Sequence, residues 1–212
     1  MSDTSPVIIV YPLVIHLLDF FGTMAFAVTG SFKAIEQKLD FVGVIILSII
    51  TGLAGGIIRD IIFGRFPPNA LVDPVYLLIT ISTGIVVFFL YPRLKKHWNL
   101  FIKFDAIGLG DFTIIGATAA YTLFGHNFLI MAFAGVLTAI GGGILRDVFV
   151  NEIPIVFIKE LYVTASFMGI VIFYLLLIFL NVDIAAIIAV VSVISIRFLA
   201  IKYNWNLPRS KS

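Results

Sequence analysis

The sequence predicts an all-α integral membrane protein with seven transmembrane helices, built as two inverted three-helix repeats followed by a seventh helix. Three observations carry this expectation. Of 212 residues, 61% are hydrophobic and 12% charged, with a mean hydropathy of +1.14, far from the mixture of a soluble domain. Apolar runs of about 20 residues, the length that crosses a bilayer, recur with short polar gaps. The stretch TGLAGGIIRD, Thr51 to Asp60, returns as TAIGGGILRD, Thr138 to Asp147.

The gaps leave no room for a soluble domain, so residues 1–212 read as a single membrane domain. Apolar periodicity places helices at 8–31, 41–64, 73–92, 105–124, 127–149, 160–180 and 183–201. The first run, starting near Val7, lacks a basic leader and a small-residue cleavage site, and reads as a retained helix. The links Gly125-His126-Asn127 and Asn181-Val182-Asp183 are short enough only for antiparallel neighbours. Tyr91 to Lys103 is the longest connection and the seam between the repeats.

Absence of cysteine excludes disulfides, thiolate metal sites and catalytic thiols, and a net charge of +2 gives no footprint for nucleic acid. Orientation follows from lysine and arginine. With the N-terminus outside, one side holds Lys33, Lys38, Arg93, Lys95, Lys96, Lys103, Arg146, Lys159, Arg197, Lys202, Arg209 and Lys211, and the other only Arg59 and Arg65. The positive-inside rule then puts the C-terminal tail in the cytoplasm, in a cell membrane crossed several times. Trp98, Tyr203 and Trp205, beside basic residues, fit interfacial anchors.

The repeat extends beyond its glycine core. Asp19 and Gly22 match Asp105 and Gly108, Gly30 matches Gly116, Arg59-Asp60 matches Arg146-Asp147, Pro67 matches Pro154, and Tyr76 matches Tyr162. Repeat one covers 8–92, repeat two 105–180, the seventh helix 183–201 and a basic tail 202–212. Three crossings per unit is an odd number, so the second copy lies upside down relative to the first.

Glycine-interrupted helices at matching positions of inverted repeats point to a translocation path. The second and fifth helices are therefore expected to line an ion pathway through Thr51, Gly52, Gly55, Gly56 and Asp60, and through Thr138, Gly141, Gly142, Gly143 and Asp147. The competing reading is close helix packing, for which Gly52-Gly56 and Ala139-Gly143 have the spacing. Arg59 lies 18 residues past Phe41, which is about 27 Å along a helix. Arg59 and Arg146 are thus expected at opposite mouths or reaching lipid headgroups, each pairing away from its own neighbour, because i and i+1 diverge on a helix. Asp60 and Asp147 are the expected cation attractors.

Asp19 and Asp105 read as caps or partners of nearby backbone, and Asp111 has no acidic counterpart in repeat one. His16, His97 and His126 lack metal spacing. Ser48, Thr51, Thr138, Ser192 and Ser195 are equally suited to wetting a pore or bonding back to their own helix. Phe63, Phe66 and Phe149 are candidate constrictions. No catalytic constellation or phosphate loop is present, so neither an enzyme nor a cofactor is expected.

At the paired motifs the chain resembles the trimeric intracellular cation (TRIC) channel family and its prokaryotic relatives, a superfamily that takes in bacterial proteins with a glycine-transporter domain. The resemblance rests on LDFFGTMAFAVTG, TGLAGGIIRDIIFGRFPP, FDAIGLGDF and TAIGGGILRDVFVNEIPIVF, and spans residues 12 to 200. It implies a homotrimer with one pore per subunit, lined by glycine-kinked second and fifth helices and permeable to potassium and sodium. The kink positions carried over are Gly52, Gly55 and Gly56, with Gly141, Gly142 and Gly143. Membrane lipids are the other partner implied, and bound lipid is left open; the Lys-Glu-Val sequence through which animal members bind a phosphoinositide is absent. A carrier for a small zwitterion such as glycine, using alternating access, is the alternative, and a non-transporting scaffold ranks behind both.

Overall fold

Short polar turns punctuate the apolar runs, and three of them cap the helix that follows. The computed structural model describes residues 12–94, 99–158 and 161–205; Lys95, Lys96, His97, Trp98, Lys159, Arg209, Lys211 and the start of the first predicted helix lie outside the described residues. Among the described residues the helices are α1 (Leu13–Glu36), α2 (Phe41–Ile62), α3 (Asn69–Val72), α4 (Pro74–Leu94), α5 (Asn99–Phe124), α6 (Phe128–Phe149), α7 (Ile155–Ile158), α8 (Tyr162–Leu176) and α9 (Val182–Tyr203). Asp40 accepts from Gly43 N at 2.7 Å to start α2, Asn127 from Ile130 N at 3.3 Å to start α6, and Asn181 from Ile184 N at 3.0 Å to start α9. Each satisfies a donor that a helix start leaves orphaned.

Seven of these helices, α1, α2, α4, α5, α6, α8 and α9, overlap in position with the seven predicted. Five of them, α1, α2, α4, α6 and α9, are long and apolar enough to cross a bilayer. The central α5 carries Lys103, Asp105 and Asp111, and α8 has 15 residues. Boundaries moved where a side chain found a partner in space. Helix α1 runs on past residue 31 to Glu36, because Lys33 is buried against Glu152. The four-residue helices α3 and α7 were read only as connections.

Helices α1 and α5 form the centre. A Cβ on Gly22 would meet Asp111 Cβ and the Phe112 ring at 2.9 Å, and one on Gly108 would meet the Phe26 ring, so residue numbers rise on one helix as they fall on the other. The two run antiparallel with no space for a side chain at either glycine. From Gly108 to Ala120 every residue of α5 is buried, as for a helix with protein on all sides. Helix α9 stands outside the repeats and packs on the second of them: Gly110 faces Ile194 and Gly169 faces Val193. The outer surface presents Ile46, Leu78, Phe133 and Val191, an apolar belt suited to lipid.

One ion pair ties the end of α1 to the link after α6. Lys33 Nζ donates to Glu152 Oε2 at 2.6 Å and Gln37 Nε2 to Oε1 at 2.8 Å. Burial pushes the Glu152 carboxyl up, but these two bonds, with the charges of Lys33 and Arg146, outweigh it and hold the group below its ordinary value. A depressed carboxyl contributes stability that is complete above its unfolded value, about pH 4.3, and lost as pH falls through the folded value. Thermal denaturation in detergent is expected to show a steeper fall in wild type than in Glu152→Gln as pH drops from 5 towards 3; parallel curves would remove this pair from the acid response.

Candidate functional site

The two glycine motifs meet each other. A Cβ on Gly55 would fall on the carbonyl oxygen of Thr138, and one on Gly142 on the carbonyl oxygen of Thr51. Helices α2 and α6 therefore cross antiparallel, backbone against backbone, with the contact exchanged between the repeats. Only glycine permits this approach. Within each repeat a further glycine closes on the same threonine: a Cβ on Gly30 would lie 2.5 Å from Thr51 Oγ1 and one on Gly116 2.6 Å from Thr138 Oγ1.

One turn beyond the crossing each helix carries a buried fork. Arg59 Nε and Nη2 both meet Asp60 Oδ1, at 2.9 and 2.8 Å, and Arg65 Nη1 reaches the same oxygen at 3.3 Å. Arg146 Nε donates to Asp147 Oδ1 at 2.8 Å, while Nη1 donates to Thr29 Oγ1 at 2.9 Å and to Asp105 Oδ1 at 3.0 Å. The other carboxylate oxygen of each Asp turns to the chain that follows: Asp60 Oδ2 accepts from Asn69 N at 3.0 Å and Asp147 Oδ2 from Ile155 N at 2.9 Å. These aspartates fix where α3 and α7 begin. By this pairing Pro68, not Pro67, stands where Pro154 does.

The two halves are not filled alike. Beside the first fork lies a cavity of about 20 Å³, room for roughly one water, lined among others by Asp19, Thr23, Gly52, Arg59, Asn69 and Tyr76. Tyr76 Oη donates to Asp19 Oδ2 at 2.5 Å. At the matching place in the second half Thr23 becomes Leu109, Gly52 becomes Ala139 and Asn69 becomes Ile155, and these pack with Phe26 and Tyr162 as an apolar cluster. One half is a polar cavity and the other is dry.

A family model described as "Glycine transporter" matches residues 16–92 and, a second time, residues 102–178. The inner membrane protein YadS of Escherichia coli is 32% identical over 200 residues, covering 92% of this chain and 96% of that protein. Membrane protein YvgT of Bacillus subtilis is 39% identical over 156 residues, 73% of this chain and 76% of its own. The chain belongs to the glycine-transporter family. Among solved structures, a prokaryotic TRIC channel matches with a TM-score of 0.86 at 38% identity, covering 92% of this chain and 99% of that one. The TRIC orthologue from Rhodobacter sphaeroides matches with a TM-score of 0.87 at 30% identity, covering 91% and 100%. The resemblance drawn from the paired motifs is borne out across the described bundle, and the family's model fits each repeat separately.

Within this member of the glycine-transporter family the predicted site residues fall into three groups. Gly55, Gly141 and Gly142 are at the crossing: the nearest atom to a Cβ on Gly141 would be Gly55 Cα, at 3.2 Å. Gly56 and Gly143 face the forks, with Arg59 Nη2 at 3.7 Å and Arg146 Nη2 at 3.8 Å, and Gly52 faces Thr80 and the Thr23 carbonyl. Thr51 and Thr138 hydroxyls bond back to Leu47 O at 2.6 Å and Ala134 O at 2.7 Å. Both helices run through their glycines without a break.

Several expectations are corrected. Each arginine does bond its own i+1 aspartate, because the long guanidinium curls back over a carboxylate that cannot follow it. Arg59 is 5% exposed and Arg146 1%, so they are enclosed by protein rather than extended to headgroups. Asp60 and Asp147 are occupied by arginines and backbone rather than held open for cations. Asp19 and Asp105 bond side chains, a tyrosine and an arginine, rather than capping. Phe66 and Phe149 point outward and Phe63 packs on the Phe124 ring at 5.0 Å, so none constricts a path. Sequence reasoning missed Thr23, Thr29, Asn69 and the Lys33–Glu152 pair, which have no repeated signature. Tyr76 and Tyr162 did have one.

Gly55→Ala and Gly142→Ala are each expected to cost about 1–3 kcal/mol through forced separation of two backbones. Gly56→Ala, whose nearest neighbour is a flexible guanidinium at 3.7 Å, should cost less than either. Thermal denaturation of the three variants decides; equal midpoints would remove the crossing as a packing constraint. Arg146→Gln strands two buried carboxylates and should cost about 3–5 kcal/mol, with Arg146→Lys intermediate in the same assay.

Proposed function

We propose that this protein is a passive, potassium-permeable monovalent cation channel, one pathway per subunit of a homotrimer, with α2 and α6 as the pathway helices. The observation that carries the reading is a structural likeness, over nine-tenths of the chain and at 38% identity, to a protein described as a prokaryotic TRIC channel. Three features support it. Equivalent helices pass antiparallel, the arrangement of an inverted repeat across a membrane. The pathway helices meet at glycines, where a small separation exposes the carbonyls of Thr51 and Thr138, and carbonyls are an established means of cation selection. A polar cavity reaches that crossing from the first half, touching Gly52, Gly56 and Thr138. With the N-terminus outside, that cavity lies on the outer side and the dry half on the cytoplasmic side, and lipid covers the apolar belt. Gating then consists of opening the dry half, and no chemical step or cofactor is involved.

A second reading is favoured by the name of the matching family model: an alternating-access carrier for glycine, in which the arginines receive a carboxylate.

Planar-bilayer recording of the purified protein under a potassium gradient separates the two. Discrete steps reversing near the potassium potential are expected. Silence together with saturable glycine uptake into liposomes would replace the channel by the carrier, and anion-selective reversal would overturn the cation pathway outright.

A further inference from the structure

Beyond the second fork three separate elements are strapped together. Phe101, buried at the start of α5, has the Arg146 guanidinium over its ring at 5.1 Å and the Lys33 ammonium at 5.6 Å. Such cation–π contacts hold ring and cations to one another. Lys33 also crosses from the end of α1 to Glu152, on the link after α6, at 2.6 Å, and Gln37 takes the other carboxylate oxygen. The Glu152 N–H donates to the Asp147 carbonyl oxygen at 2.9 Å, so the backbone ties this link to the fork. The end of α1, the start of α5 and the α6–α7 link thus close over Arg146.

The repeat shows that this strap belongs to one half. Ala119 stands where Lys33 does, Ile15 where Phe101 does and Arg65 where Glu152 does. The backbone at the last position is kept, since the Arg65 N–H donates to the Asp60 carbonyl oxygen at 2.8 Å as Glu152 does to Asp147. The side chain goes the other way: Arg65 folds back on Asp60 of its own fork at 3.3 Å, whereas Glu152 reaches across to α1. The half whose link stays on its own side holds the cavity, and the strapped half is dry. Glu36 lies one turn after Lys33, and the charges of Lys33 and Glu152 both reach it. Lys33 is therefore one cation serving two carboxylates, which repel each other if it leaves.

We infer that Lys33, Glu152 and Phe101 form a latch that holds the second half of the pathway shut, and that parting Lys33 from Glu152 is the step that lets water into it. Release frees the α6–α7 link from α1, and through Asp147 the fork can follow. The dry cluster of Phe26, Leu109 and Ala139 then becomes reachable, and Ala139 holds the position that Gly52 holds at the cavity of the first half. The latch deepens the channel reading and rests on it only for what passes once the half is open.

Thiol reactivity of the purified full chain in detergent tests the latch, because the chain contains no cysteine and one introduced thiol is the only reporter. Ala139 is fully buried, so Ala139→Cys is expected to react slowly with a water-soluble methanethiosulfonate. Adding Glu152→Gln should raise that rate about tenfold, as loss of a charge-assisted hydrogen bond implies. Lys33→Met should raise it further, since it leaves Glu36 and Glu152 facing each other, and Lys33→Arg, which keeps the charge, should stay near the parent rate. Ala185→Cys, buried on α9 in a separate apolar cluster, reports general loosening and is expected to keep one rate throughout. Equal Ala139→Cys rates in all backgrounds would overturn the latch. Equal acceleration of Ala185→Cys would overturn it too, by making the pair a plain stabiliser. The assay needs no flux, so a latch-dependent rate without bilayer current would retain the latch and remove the channel, and potassium current with a latch-independent rate would do the reverse.

Discussion

Everything at the centre of this bundle depends on two side chains that are absent. Gly55 and Gly142 let the backbones of α2 and α6 touch at the carbonyls of Thr138 and Thr51, and the exchange of those contacts sets the relation between the two repeats. Had either position carried a Cβ, the helices would stand further apart and the forks one turn away would lose their registration against α1 and α5. In a membrane, where lipid tails offer no hydrophobic drive for helix association, such close backbone approach is a principal source of packing energy. The glycines therefore serve packing in this conformation. In the channel reading the same residues also serve permeation, because a crossing this tight exposes carbonyls by a small movement.

The forks solve a second problem, that of burying arginine away from water. A guanidinium placed alone in apolar surroundings is costly, and it is retained here by carboxylates on its own helix and its neighbours. Arg146 is the more completely enclosed, with Asp147, Asp105, Thr29 and the Phe101 ring around it. Each aspartate divides its oxygens, one for arginine and one for the backbone at the start of a short helix. Charge burial and chain path are thus set by the same two residues. This links the fork to the helix end just after it, where Gly64 and Asn151 take the left-handed conformation, φ 70° and 58°, to end α2 and α6.

The fold was largely legible because apolar length and repeated spacing are properties of the chain itself. Seven long helices, the antiparallel links at Gly125 and Asn181 and the pairing of repeats all follow from counting. Less legible were features that depend on what lies across space. The extension of α1 to Glu36 needed Glu152, which is distant in sequence, and α3 and α7 needed the carboxylates of Asp60 and Asp147. The arginines were expected near the surface because helical arithmetic gives depth along an axis but not the direction of a flexible side chain. The repeated residues were found as pairs while their partners were not: Asp60 and Asp147 bond arginines and backbone, Asp105 bonds Arg146, and Asp19 lines the cavity.

Duplication also separates scaffold from directionality. Among the positions that keep their identity across the repeats, Gly22 with Gly108 and Gly55 with Gly142 have contacts exchanged between halves, so both copies are constrained at once, while Arg59 bonds Asp60 and Tyr76 bonds Asp19 within the first repeat. A pathway made only of such positions would be the same from either end. The positions that diverge include Thr23 against Leu109, Asn69 against Ile155 and Asp111 against Ala25. All three changes run the same way, placing hydroxyl, amide and carboxylate in the first half and aliphatic side chains in the second. In the channel reading, apolar packing raises the cost of an ion in the second half and polar groups lower it in the first. The residues that break the repeat are thus the ones that make its two halves chemically different.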